Sequence, residues 1–261
     1  MIDLSFTYGD LELFLLVLMR TASFIFIAPF FHMTNTPRNI RIGFALILSV
    51  IVYGLIPHTM PEYHTLIEYT VIVLKEVITG LLVGLGANLC TYIVQFAGHL
   101  ADMEMGLSMA SLMDPATRQQ TTISGIYYNY MIMLLLIISG MQNYLIRAFV
   151  ETYELIPVNG QVFQMHRLLN SITSFMGRYI LIGFRICLPI FCTMILLNAV
   201  LGVLAKVSPQ LNMFAVGMQI KVLVGISVLF LTVALLPKAA DMIYTEMKTM
   251  VASMVEGMSP T

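Results

Sequence analysis

The chain has 261 residues, of which 59% are hydrophobic and only 10% charged, with a formal net charge of −1. Soluble domains carry about 25% charged residues and about half apolar ones, so a mean hydropathy of +0.88 excludes a soluble core and calls for lipid or other membrane helices. The near-neutral charge likewise excludes the basic footprint of a nucleic-acid binder.

In chain order, the first apolar run covers residues 11–31, preceded by Asp3 and Asp10 and no cation. Without a positive leading region it is expected to be a retained span rather than a cleaved leader. A second run, 40–56, ends at IPHTMPEYH, whose prolines mark a loop. The third, 66–100, is far longer than the about 20 residues that cross a bilayer. A looser segment, 101–122, separates it from a fourth run at 123–139. Residues 140–176 are mixed, with a turn at Pro157, Asn159 and Gly160. A fifth run, 179–205, and a sixth, 213–236, flank the short polar turn KVSPQLN. They are expected to form an antiparallel hairpin, 179–236, followed by an amphipathic tail at 238–254. Helices are required throughout, because open strands cannot satisfy their backbone groups in lipid. The expected fold is an all-α membrane protein, one integral membrane domain over 1–261.

Arg20, Lys75, Glu76, Arg185 and Lys221 stand inside these runs. Each would cost about 2.5–3.5 kcal/mol at the centre of a lipid-facing helix, so they pair, snorkel, or face a bundle interior or water. Run three also carries Glu76, Gly80, Gly84, Asn88, Thr91, Gln95, Gly98 and Asp102 at steps of three and four. That spacing puts them on one helix face as a stripe about 40 Å long. Glycines four apart permit close helix approach, while Asn88, Gln95 and Asp102 need water or hydrogen bonds. The stripe is therefore expected to pack tightly at its start and to face an aqueous or polar passage towards its end, with close helix packing alone as the competing reading. Gly217, Lys221 and Gly225 repeat the spacing in run six.

Catalysis finds no support. There is no phosphate-cradling glycine loop, no HExxH, and no nucleophile beside a base. Cys90, Cys187 and Cys192 lie in apolar runs and read as small apolar side chains. The five histidines are scattered, so neither a metal nor a cofactor is expected.

Three stretches carry a resemblance: RTASFIFIAPFFHMTNTPRNIRIGFAL (20–46), GLSMASLMDPATRQQ (106–120) and LPIFCTMILLNAVLGVLAKVSPQLNMFAVGMQIKVLVG (188–225). They resemble the FliR family, the inner-membrane export-gate component of bacterial flagella, with relatives in virulence-type type III secretion. The chain departs from that family's pattern at Gln219, where a proline is usual, and at Lys206, where an arginine is usual.

The resemblance implies helical hairpins packed in a wound, hetero-oligomeric channel assembly of the flagellar basal body, in the bacterial inner membrane. The implied partners are the small FliP-type and FliQ-type subunits, the large gate proteins with cytosolic domains, and unfolded export substrates. Partner subunits rather than lipid would then surround the charges and glycines, and Gly80 and Gly84 would pack against those subunits. Such surroundings would also excuse the arginine-bearing loops, which contradict the positive-inside rule when six spans are counted.

In that family the segment matching 106–122 plugs the channel, and its residues suit the task. Gly106, Ser108, Ala110 and Ser111 allow tight backbone packing, while Met105, Met109 and Met113 supply adaptable apolar side chains. Asp114 and Pro115 fit the cap and first position of a short turn, and Arg118 offers a polar contact. The competing reading is a small-molecule or ion secondary transporter with Arg20, Glu76, Arg185 and Lys221 as a midplane site.

Overall fold

Runs of apolar residues without an internal break become long helices, since in an apolar medium each backbone N–H must find its acceptor four residues back. The computed structural model describes residues 8–31, 37–57, 63–110, 112–113, 120–208 and 213–260. Its helices are α1 (Tyr8–Ile27), α2 (Arg38–Tyr53), α3 (Leu66–Met105), α4 (Ile123–Ile138), α5 (Met141–Leu155), α6 (Met165–Val207), α7 (Met213–Leu231) and α8 (Leu236–Glu256). A 3-10 turn at Thr232–Leu235 joins α7 to α8. The fold is all-α apart from a two-residue antiparallel ladder, in which β1 (Leu112–Met113) faces β2 (Gln120–Thr121).

Several boundaries differ from the apolar runs. α3 absorbs the first residues of the looser segment and stops only at Gly106, whose φ of +78° is open to glycine. The mixed region 140–176 resolves into α5 and the start of α6, which begins at Met165 rather than near 179. There the helical signal is carried by Leu168, Phe175 and Ile182, buried at seven-residue steps among exposed neighbours both polar and apolar. Hydropathy alone passes over such a stripe.

Three stretches are long and apolar enough to cross a membrane among the described residues: Leu66–Met105, Met165–Val207 and Val216–Glu256. α1 carries Asp10, Glu12 and Arg20, and α2 has only 16 residues. The pair α4–α5, bent by 65°, adds a fourth candidate if it counts as one span, so the described helices offer three or four membrane-length stretches where the apolar runs suggested six. Self-burial of the most apolar part drops from 56% in α3 to 33% in α6 and 11% in Val216–Glu256. The C-terminal apolar surface is thus largely uncovered by its own chain.

The chain divides into two compact units. One comprises Met1–Leu89, Met141–Phe175 and Glu246–Thr261; the other comprises Cys90–Gly140 and Met176–Thr245. In the first, Phe24 of α1 stacks on Phe149 of α5 at 4.4 Å, and Phe149 meets Tyr153 edge-on at 5.7 Å. The amphipathic tail forms nearly all of α8, and towards its end Met247, Met250 and Met254 are buried on one face. Met254 seats against Gly86, 3.0 Å from where a Cβ would stand. In the second unit, the Gly217 face of α7 meets Leu201 of α6 and the Gly225 face meets Met194. Partner numbers fall as α7 advances, so α6 and α7 run antiparallel.

Candidate functional site

Two polar arrangements stand out, one in each unit. In the first, α1 brings Arg20 and α3 brings Glu76 to a site where both are fully buried and form a direct ion pair. The guanidinium also donates Nη1 to the Ile156 carbonyl at 3.0 Å and lies 4.3 Å above the Tyr153 ring. The second Glu76 oxygen accepts the Asn159 backbone N–H at 3.0 Å and Gln161 Nε2 at 2.6 Å. Asn159 reaches this position because it adopts a left-handed φ of 62° in the turn after Pro157. Its side chain takes a long 3.5 Å contact from Lys75 Nζ.

The node thus fastens the α5–α6 connection to α1 and α3. A buried ion pair is a weak source of net stability, yet removing one partner strands the other charge. The neighbouring chain is tied to the C-terminal residues as well, through Val162 N–H to Met258 O at 3.1 Å and Gln164 N–H to Gly257 O at 2.9 Å.

Gly80 and Gly84 seat α1 on the same face of α3. A Cβ on Gly80 would collide with Ser23 Oγ and the Arg20 carbonyl, and one on Gly84 would stand 3.0 Å from the Phe24 carbonyl. This corrects the expectation of packing against partner subunits: the glycine face of α3 is filled by α1 of the same chain. The physical reason is that glycine steps define a close-approach face without saying which helix approaches it.

The second arrangement brackets the segment 106–122. Gly98 of α3 crosses Gly125 of α4 so closely that a Cβ on Gly98 would run into Gly125 Cα and N. Asp102, fully buried on the next turn of α3, accepts the Ser124 N–H at 3.1 and 3.3 Å. Thr122 caps α4, its hydroxyl accepting the Gly125 N–H at 3.3 Å. Met105 is fully buried with its thioether in the notch left by Gly225 of α7. The two ends of the segment are thereby held side by side, with the β1–β2 ladder just beyond them.

Of the segment itself, Gly106 turns the chain, Ser108 is exposed, and Leu107–Ala110 form a 3-10 turn. Met109 and Ala110 contribute to that turn and Met113 to β1. Ser111, Asp114, Pro115 and Arg118 lie outside the described residues. Of the remaining stripe residues, Asn88 and Gln95 are half-buried. Lys221 is half-buried and Arg185 is exposed on α6. Sequence reasoning missed Tyr153, Gln161 and Ser124 as partners of buried charge. Their only prior signal was polarity near a helix end.

A chain that closes two charges inside itself, crosses helices at glycine notches and leaves the apolar surface of α7 largely uncovered is an α-helical integral membrane protein. It belongs to the family of bacterial export proteins, family 1, whose pattern matches residues 11–247. It is similar to the flagellar biosynthetic protein FliR of Bacillus subtilis, with 29% identity over 225 residues, 85% of this chain and 86% of that protein. FliR of Escherichia coli is 23% identical over 246 residues, 94% of this chain and 93% of that protein. The surface presentation of antigens protein SpaR of Shigella flexneri is 25% identical over 236 residues, covering 88% and 90%.

Proposed function

We propose that this chain is a subunit of the flagellar type III protein export gate in the bacterial inner membrane. In this reading it lines and seals the path of unfolded export substrates, with 106–122 as a plug. Family membership and the flagellar relatives supply the class. The observation that carries the finer reading is the double anchor at Gly98–Gly125 and Asp102–Ser124. A loop whose ends are pinned on adjoining helix termini can change its interior conformation without disturbing the helices that bear it. Its small and methionine residues favour a seal made of adaptable contacts, as a channel that reopens for chains of any sequence requires.

The bare apolar surface of α7, at Leu223, Ile226, Phe230 and Leu231, is the surface we assign to FliP-type and FliQ-type subunits, with the large gate proteins nearby. A transporter site fits less well, because Glu76, its acidic member, already has both oxygens engaged by Arg20, Asn159 and Gln161. No catalytic step is required of this chain; energy for export would come from elsewhere.

The test is deletion of 107–119, which spares both anchors. The variant should still copurify with small helical membrane subunits while cells expressing it leak ions. Conductance equal to that of the parent would remove the plug from this reading. Isolation of the unaltered chain as a lone monomer or a symmetric homo-oligomer would remove the gate.

A further inference from the structure

Within the second unit, a cavity of about 320 Å³ opens between α6 and the start of α8. Its walls are Tyr128 of α4, Arg185, Ile186 and Pro189 of α6, and Leu235 and Lys238 beside the 3-10 turn, among others. Two cations share this mouth and no carboxylate lines it. Neither the Arg185 nor the Lys238 side chain makes a hydrogen bond or ion pair among the described residues. Tyr128, only 1% exposed, faces Thr232 across the cavity. Pro189 has no N–H to give the carbonyl four residues back, that of Arg185, which leaves a backbone acceptor at the same place.

The level of the cavity along the helices indicates the ligand. Arg185 and Lys206 bracket the twenty uncharged residues 186–205, about the length that crosses a hydrocarbon core. On the returning side of the hairpin, Lys221 of α7 and Lys238 at the start of α8 bracket the uncharged stretch 222–237. Antiparallel pairing puts Arg185 and Lys238 at the same end of the apolar hairpin, with a tyrosine hydroxyl beside them. Cations and tyrosine bounding a membrane-length apolar stretch mark the headgroup level.

We propose that this cavity binds an anionic phospholipid. The phosphate sits between Arg185 and Lys238, a hydroxyl of the headgroup donates to the carbonyl freed by Pro189, and the first acyl methylenes lie along Ile186 and Leu235. The site is independent of the export reading, since it requires only the charges, the notch and their depth.

The probe is the full-length protein, with any copurifying subunits, reconstituted in phosphatidylcholine vesicles with or without phosphatidylglycerol. After gentle extraction, native mass spectrometry weighs the lipid that stays bound. The unaltered chain should keep phosphatidylglycerol in preference to phosphatidylcholine, and inorganic phosphate should not displace it. Arg185→Gln with Lys238→Gln should lower retention about thirty-fold, the product of two surface-level cations. Arg185→Lys should keep most of it.

Equal retention of both lipids by the unaltered chain would overturn the site, whatever the variants do. Displacement by inorganic phosphate would make it a free-anion site and overturn the lipid. Should the double variant shed partner subunits with its bound lipid unchanged, the cations belong to a partner's carboxylate and the proposal fails.

Discussion

Arg20 and Glu76 in the first unit answer each other's charge and are enclosed by Tyr153, Gln161 and the Asn159 turn. Arg185 and Lys238 in the second stand at the rim of an open cavity with no acid among its lining residues. The glycines divide differently: both units use glycine notches, at Gly80 against α1 and at Gly98 against α4. What separates these two cation sites is therefore closure of charge rather than tightness of packing. A charge met by its own chain serves the fold, and a charge left open is available to something outside it.

The largest test of that contrast is Glu76→Leu, which strands Arg20 in a fully buried position. Loss of one buried partner costs about 3–5 kcal/mol, so the variant should unfold at much lower denaturant in detergent or fail to accumulate. Arg20→Met combined with Glu76→Leu should recover much of the loss, because neither charge is then orphaned. Arg185→Gln should leave the unfolding midpoint nearly unchanged. A large loss there would erase the distinction between closed and open charge.

Next come the glycine notches. Gly98→Ala drives a methyl into the backbone of Gly125, and Gly80→Ala drives one into the Arg20 carbonyl. Overpacking of this kind costs about 1–3 kcal/mol. Gly177→Ala, on a face with open space around the missing Cβ, should be neutral or stabilising by up to about 1 kcal/mol. Thermal unfolding of the three variants side by side reads this directly.

A smaller effect belongs to the loop anchor. Asp102→Ala removes the carboxylate that receives the Ser124 N–H at the start of α4. The cost should be about 1 kcal/mol, with faster amide exchange concentrated at 122–126. Uniform acceleration over all helices would mean that Asp102 supports the whole fold rather than the loop.

The smallest lies in the connection before α3. The Tyr63 hydroxyl donates to Glu12, and that bond, ahead of desolvation and the nearby negative charge, holds its pKa above the ordinary 10.0. For an acid held neutral in the fold, the contribution is full below the unfolded value and fades as pH rises through the raised one. The stability gap between the parent and Tyr63→Phe should therefore be constant up to neutral pH and close only on the alkaline side of 10.0. A gap that widened there would reverse the assignment.

Much of this could be read along the chain. Steps of three and four from Glu76 to Asp102 put a small and polar face on one helix, and α3 is one unbroken helix of 40 residues. The turn at Pro157, Asn159 and Gly160 was equally plain from residue type. The early start of α6 was not, because one buried residue per two turns at Leu168 and Phe175 is too sparse to dominate a window with Arg167 and Asn170 in it. Of the candidate site, the buried charges announced themselves by type. Their partners did not, since Glu76 meets Arg20 across 56 positions and Gln161 across 85.

Composition and periodicity by themselves determined that this is a helical membrane protein, that α3 is one long helix, and which face of α3 allows close approach. They could do so because apolar content and a 3.6-residue repeat are local properties of a chain in lipid. Only the tertiary structure decided that α1 fills that face, that Glu76 is satisfied from α1 and the α5–α6 connection, and that Arg185 and Lys238 share one opening. Those facts depend on which distant surfaces meet, and a helix face prescribes a shape for its neighbour without naming it.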